Sequence, residues 1–215
     1  KSYEAHGFRE FVLCLGYKGN MIRNFFINYK NYMSDVTIDL RKGEINGRNE
    51  PEEDWRVTLA NTGEESQSAL RLGRVRKYLE EDPFFMITYC DGVSDVNIKE
   101  VLEFHKKSGA IGTITGVRAR SRYGAVIADE KGRVNSFIEK PVLHDLVNGG
   151  FMVFNNEVLK HPALKRNIQL EDFLAELTEQ QKLAVYRHEG FWHSMDTYRD
   201  FEDLNKIWSE GNAPW

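Results

Sequence analysis

The sequence predicts an α/β fold: a mixed, mainly parallel sheet flanked by helices, with a small antiparallel annex. Three observations carry this. Short apolar runs alternate with amphipathic segments along the chain, the pattern of a sheet covered by helices. The run Phe84–Tyr89 is continuously apolar and stops at Cys90-Asp91-Gly92, as a buried parallel strand does at its carboxyl end. Two further runs, Tyr123–Ala128 and Val134–Glu139, flank Glu130-Lys131-Gly132 and pair naturally as a hairpin.

From the N-terminus, Lys1–Phe8 reads as the end of a helix with Gly7 as its C-cap, so an upstream strand, loop and helix are expected before Lys1. Phe11–Leu15 is a strand, and Asn20–Tyr29 a helix with Ile22, Phe25 and Phe26 on one face. Asp35–Leu40 and Trp55–Ala60 alternate as strands. Between them the polar stretch Arg41–Asp54, with Gly43, Gly47 and Pro51, reads as a loop. Leu72–Leu79 is a short basic helix; the cations from Arg71 to Lys77 read as a solvated face in preference to a phosphate site. Asn97–Ser108 is a helix with Ile98, Val101, Leu102 and His105 on one face, ended by Gly109. Ile111–Val117, Gly149–Asn155 and Leu183–His188 are strands; Leu170–Glu179 and Tyr198–Glu210 are helices. With no repeat and no long linker, residues 1–215 read as a single domain.

Composition narrows the function. The chain has 215 residues, 29% of them charged and 41% apolar, with a net charge of −4, which argues against a general nucleic-acid binder. No run approaches the roughly 20 apolar residues of a membrane helix, and no secretory signal is visible, so a cytoplasmic protein with no membrane partner is expected. Cys14 and Cys90 lie far apart in apolar runs and read as reduced, mostly buried thiols. There is no GxxxxGK[ST], GxGxxG or HExxH motif and no zinc spacing.

Ligands of open α/β sheets bind beyond the carboxyl ends of strands, which directs attention to the residues just after each apolar run. Asp91 stands there, with Gly92 behind it to admit a close ligand. It is either a turn-forming Asp-Gly or a hard oxygen ligand for Mg²⁺, which takes one or two carboxylates plus substrate phosphates. Asp95 is read in preference as the N-cap of the next helix. Asp196, in the irregular aromatic stretch Gly190–Thr197, is either an N-cap, the preferred reading from pattern alone, or a second carboxylate meeting Asp91. His193, a lone histidine among aromatics, reads as structural. Lys140, after Glu139 and before Pro141, suits a phosphate. Asn148-Gly149-Gly150 could set an amide and bare backbone against a sugar, and Tyr123-Gly124 could face a ligand in the same way. The alternatives are a proline-terminated edge strand at Glu139–Pro141, a glycine turn at Asn148–Gly150 and a strand-start turn at Tyr123-Gly124.

In this order, Leu15-Gly-Tyr-Lys-Gly19, Met33-Ser-Asp-Val36, Val57–Gly63, Thr88–Val93, Tyr123-Gly124, Glu139-Lys-Pro141, Asn148-Gly-Gly-Phe151, Phe191-Trp192, Met195-Asp-Thr197 and Ala213-Pro-Trp215 resemble the sugar-1-phosphate nucleotidyltransferases. Gly-Tyr-Lys-Gly, Met-Ser-Asp-Val and Ala-Pro-Trp point to their cytidylyltransferase branch. The resemblance covers essentially the whole chain. It implies a Rossmann-like nucleotidyltransferase fold and a reaction of CTP with glucose 1-phosphate that forms CDP-glucose and pyrophosphate with Mg²⁺. It also implies a homo-oligomer serving dideoxysugar synthesis for surface polysaccharide. Carried over, Asp91 and Asp196 hold the metal and Lys140 the sugar phosphate. Tyr123, Gly124, Glu139, Asn148 and Gly149 lie on the sugar side, and Thr62, Gly63 and Arg71 also contact substrate.

The family's glycine-rich signature, with its arginine, is expected upstream of Lys1. Gln67-Ser-Ala-Leu-Arg71 stands where the family has a Met-Thr-Gly-Gly-Arg-like stretch, Asn61 stands for the usual Asp, and Cys90 for the usual Gly. Altered base or sugar choice, and a non-catalytic sugar-phosphate binder, are the alternatives that these changes raise.

Overall fold

The computed structural model describes residues 1–47 and 53–215, so residues 48–52 of the expected loop lie outside the described residues. In chain order, a short helix α1 (Ser2–Ala5) is followed by β1 (Glu10–Leu15), α2 (Gly19–Ile27), α3 (Tyr29–Tyr32), β2 (Val36–Asp39), β3 (Glu44–Gly47) and β4 (Arg56–Asn61). Next come α4 (Ser68–Val75), a 3₁₀ turn (Arg76–Tyr78), β5 (Phe84–Thr88), β6 (Gly92–Ser94), α5 (Ile98–Ser108) and β7 (Gly112–Val117). The chain then forms β8 (Ala125–Ala128), β9 (Val134–Ile138), β10 (Val147–Asn155) and 3₁₀ turns at Asn156–Lys160 and Pro162–Lys165. It ends with α6 (Leu170–Glu179), β11 (Leu183–His188), β12 (Trp192–Ser194) and α7 (Tyr198–Ser209). Gly7 closes α1 at φ +91°, as its C-cap reading requires.

The chain divides into two compact units. One comprises Tyr3–Asp82 and Leu159–Leu177. Here β1 and β4 pair in parallel from Glu10↔Arg56 to Leu15↔Asn61. Ala69, Leu72 and Val75 of α4 are buried, as are Ala163, Leu164, Leu170, Phe173 and Leu177. The approach of α4 to the Pro162–Lys165 turn depends on Gly73, because a β-carbon there would overlap the carbonyl oxygen of Leu164.

Three expectations are corrected in this unit. The stretch read as a loop contains β3, antiparallel to β2; Asp39 Oδ1 accepts from the N–H of Arg41 (3.0 Å) and Lys42 (3.2 Å) and turns the chain. The helix expected to reach Tyr29 stops at Ile27, where the Asn28 side chain donates to the carbonyl of Asn24 (2.9 Å), and it resumes as α3. The basic helix begins at Ser68 rather than Leu72, because its first turn is stitched to the chain before α6. Gln67 N–H donates to Asn167 Oδ1 (2.7 Å), Ala69 N–H to the carbonyl of Ile168 (3.1 Å), and Leu170 N–H to Ser68 Oγ (2.7 Å).

The other unit comprises Lys1–Ser2, Pro83–Val158 and Thr178–Trp215. Its main sheet has the order β11-β7-β10-β5, with α5 packed on β7, β10 and β11. Every residue from Gly149 to Phe154 in β10 is buried, and Phe154 is fully enclosed. The buried residues of α5 are the four expected, Ile98, Val101, Leu102 and His105. The hairpin around Glu130–Gly132 is present as β8–β9. The α/β class stands, but the share of parallel pairing is smaller than expected: only β1–β4 and β7–β11 are parallel among the described strands. β5, expected to be a parallel strand, runs antiparallel to β10, from Phe151↔Thr88 to Asn155↔Phe84. A continuous apolar run reports burial of both faces, not direction.

His105 is the one buried titratable side chain of this core among the described residues. Asn155 Nδ2 donates to the carbonyl of Ala110 (3.2 Å), which fixes its Oδ1 toward His105 Nε2 (3.1 Å); Nδ1 is 2.9 Å from Thr113 Oγ1. A neutral imidazole satisfies this set, donating from Nε2 and accepting at Nδ1. Burial pushes its pKa below 6.5, against a smaller upward effect of the Asn155 bond. The unfolded chain therefore takes up this proton first as the pH falls, and folding stability should decline below about pH 6.5. His105→Gln should remove that part of the slope, so denaturation midpoints of the two proteins should converge as the pH is lowered from neutral into the acid range; parallel profiles would refute it. Gly73→Ala should lower stability by about 1–3 kcal/mol, read from denaturant unfolding, since backbone cannot yield to the new methyl as a side chain would.

Candidate active site

The site is built where β5 releases the chain. Tyr89, Cys90 and Asp91 leave the sheet, and β6 pairs antiparallel with β12, Gly92 opposite Ser194 and Ser94 opposite Trp192. One step further Met195 N–H donates to the carbonyl of Asp91 (2.7 Å). This pairing draws Asp91 and Asp196 to one cavity of about 160 Å³, which Thr88, Tyr89, Asn148, Gly149 and Trp192 also line. The two strands of three residues are too short to show a period in the sequence, and neither was expected.

The cavity wall is rigid where it meets the core. Trp192 Nε1–H donates to the carbonyl of Gly149 (2.8 Å), and Asn148 Oδ1 accepts from Gly150 N–H (3.0 Å). A β-carbon on Gly149 would lie 2.7 Å from Val117 Cγ1 and 3.2 Å from the Thr115 carbonyl oxygen. Glycine is needed there for close packing, at the point where β10 shifts register against β7.

Neither aspartate preferred as a helix cap is one. α5 is capped by Asn97, whose Oδ1 accepts from the N–H of Lys99 (3.1 Å) and Glu100 (3.3 Å). Asp95 instead bonds His188 Nε2 at 2.8 Å. α7 is capped by Thr197 in a reciprocal box with Asp200, Asp200 N–H to Thr197 Oγ1 (3.3 Å) and Thr197 N–H to Asp200 Oδ2 (2.8 Å). Desolvation pushes the Asp200 carboxyl up, but the Thr197 hydroxyl and N–H, the charge of His193 and the Asp196 N–H together hold it below the ordinary value. Released from capping, Asp196 Oδ2 accepts from Arg122 Nη2 (2.7 Å) and Ser194 Oγ (2.9 Å). His193, read as structural, donates Nδ1–H to the Ser194 carbonyl (2.7 Å).

Cys90 was expected to be buried and is exposed. Partial desolvation of its sulfur, and behind that the Asp91 carboxylate, raise the thiol pKa, which keeps it protonated. Cys14 is half-buried.

The remaining candidates fall in two places. Tyr123, Gly124, Glu139 and Lys140 sit at the base of the β8–β9 hairpin, in the same unit as the cavity but not on its lining. Gly124 lies against Phe137 and Glu139, where an added β-carbon would come 3.1 Å from Glu139 Oε2. Lys140 is exposed with φ +47°, a left-handed turn that Pro141 follows. Thr62, Gly63 and Arg71 belong to the other unit. Thr62 is buried with its hydroxyl on the Leu15 carbonyl (2.8 Å). Arg71 gives Nε to the carbonyl of Ser66 (2.7 Å) and Nη1 to that of Cys14 (3.2 Å), and Arg74 holds the Thr62 carbonyl and Ser66 Oγ.

Sequence reasoning missed Arg122, Trp192 and Ser194 as site residues. The alternating arginines of Arg118-Ala-Arg120-Ser-Arg122 were the available signal for the first. Among the described residues no group of three or more His, Cys, Asp or Glu is arranged to hold a metal by itself. Two carboxylates on one cavity are instead the partial, hard oxygen set that Mg²⁺ completes with phosphate oxygens, so the residues present fit that ion. Among the described residues no helix is long and apolar enough to cross a membrane.

The whole chain aligns with glucose-1-phosphate cytidylyltransferase of Salmonella typhi at 39% identity, covering 84% of that protein. A probable glucose-1-phosphate cytidylyltransferase of Bacillus subtilis is 34% identical over the same extent. The fold resembles the crystal structure of HddC from Yersinia pseudotuberculosis, with a TM-score of 0.63 at 18% identity over 96% of this chain and 82% of that one. The model of the nucleotidyl transferase family matches residues 17–210, and with relatives this similar over the full length, the chain belongs to the nucleotidyl transferase family.

Proposed function

We propose that this chain is the cytidylyltransferase of glucose 1-phosphate, forming CDP-glucose and pyrophosphate from CTP and the sugar phosphate. The observation that carries this reading is the 39% identity to such an enzyme along the entire chain, together with the convergence of Asp91 and Asp196 on one cavity. A phosphate oxygen of the sugar phosphate bonds to the α-phosphorus of CTP as the bond from that phosphorus to the bridging oxygen of the β-phosphate breaks. The nucleophile is already an anion, so the protein needs no strong base; it must align the reacting phosphates and offset their charge.

In this reading Asp91 and Asp196 hold Mg²⁺, which when bound neutralises phosphate charge. Lys140, extended from a left-handed turn, meets the sugar phosphate. Asn148 and Gly149 face the sugar from the cavity wall, and Tyr123, Gly124 and Glu139 serve it from the hairpin base. Thr62, Gly63 and Arg71 serve the nucleotide through backbone, Thr62 and Arg71 fixing the carbonyls of Cys14, Leu15 and Ser66, which their polar atoms already hold. The reading extends to a cytoplasmic homo-oligomer that supplies an activated hexose for surface polysaccharide.

The full-length protein, given glucose 1-phosphate and Mg²⁺ with CTP, UTP, dTTP, ATP or GTP in turn, should release pyrophosphate with CTP. Release with a different nucleotide would keep the reaction and move the base specificity. No release with any of the five, while glucose 1-phosphate still binds, would replace the enzyme by a sugar-phosphate binder. Asp91→Asn and Asp196→Asn should each lower kcat on the order of 10²–10³-fold, the scale of losing one electrostatic stabiliser of a transition state. Unchanged turnover would remove that aspartate from the site.

A further inference from the structure

Asp196 already has a cationic partner. Arg122 Nη2 lies 2.7 Å from its Oδ2 and 3.9 Å from Asp200 Oδ2, so one guanidinium bridges the two carboxylates at the start of α7. Asp200 is committed to the cap of α7 through Thr197 and is largely shielded, whereas the Asp196 side chain is 46% exposed and lines the cavity. The Arg122 side chain itself is 57% exposed, on the Ser121–Gly124 stretch that leads to the hairpin base. A divalent cation at Asp196 and the arginine therefore want the same carboxylate oxygen, and two cations cannot share it without repulsion.

Resting on the reading of Asp196 as a cation ligand, we propose that Arg122 is a positioning residue that competes with the cation for Asp196. It neutralises that carboxylate until metal and anionic substrate arrive together, and the displaced guanidinium then faces the phosphates the cation brings. The exposure of the pair makes the exchange feasible: an exposed ion pair is worth little, so it yields readily, and Asp200 keeps the arginine nearby. A buried pair would block the site.

The test is Mn²⁺ binding to the nucleotide-free protein, followed by the electron paramagnetic resonance signal of free Mn²⁺. Arg122→Gln should tighten binding up to about fivefold, the range spanned by an exposed pair. Arg122→Lys, which keeps the charge, should stay near wild type. Arg118→Gln, which removes a cation 3.9 Å from Glu189 in the same unit, should change nothing. Unchanged or weaker binding by Arg122→Gln overturns the proposal, and equal tightening by Arg118→Gln overturns it in favour of a diffuse charge effect. Asp196→Asn separates the two readings. If it weakens Mn²⁺ binding while Arg122→Gln has no effect, only the arginine's role fails. If it leaves Mn²⁺ binding intact, Asp196 is not a ligand and both fail. Thermal melts of each variant confirm that the folded protein is being titrated.

Discussion

The antiparallel contact between β6 and β12 is the constraint on which the site depends. Each strand has three residues, so few ladder bonds hold the register, and a net value of about 1 kcal/mol per bond leaves little margin. Side chains supply the rest. Ser94 Oγ–H donates to the Phe191 carbonyl (2.7 Å), the same oxygen accepts from Asp95 N–H (3.3 Å), and His188 ties Asp95 to the strand before the turn. Trp192 then fastens β12 to Gly149 of β10. A slip of one residue would turn Ser194 to the opposite face, because side chains alternate faces along a strand.

How much the sequence made legible depended on range. α5 was readable because its apolar face and its terminating Gly109 lie within about a dozen residues and agree. The hairpin β8–β9 was readable from its turn. The caps themselves were misplaced by rule of thumb, although the sequence held the answer: Thr197 is followed three residues later by Asp200, and Asn97 by Glu100, the spacing by which a cap side chain and the third helical residue serve each other. An aspartate one residue before such a pair is left outside the helix, and that is how Asp196 becomes available to the cavity. The direction of β5, the strands β6 and β12, and the Arg122–Asp196 pair were not readable, because each is decided by a partner distant in sequence that no local pattern names.

The stretch Gln67–Leu70, which departs from the glycines usual in the family, has a local reason in this fold. It forms the first turn of α4, where glycine would weaken the helix by about 1 kcal/mol per residue relative to alanine. Ala69 is fully buried, and Gln67 and Ser68 are bonded to Gln169 as well as to the backbone around it. Backbone that bare glycine would leave open to a ligand is here committed to holding α4 against the segment before α6. Arg71 and Arg74 continue the same work by filling the carbonyls of Cys14, Ser66 and Thr62, so these two of the cations read as a solvated face are internal donors instead.

Stability and chemistry are thus assigned to different atoms of one site. The wall that shapes the cavity is made of contacts between uncharged groups: Gly149 against Val117, and an indole on a carbonyl. The groups proposed to act on the substrates, Asp91, Asp196, Arg122 and Lys140, are exposed, where water weakens every charge pair. A buried carboxylate pair would carry a large desolvation cost and would hold its counter-ion tightly. An exposed carboxylate such as Asp196 is released from its arginine at small cost, which is what the proposed exchange for a cation requires.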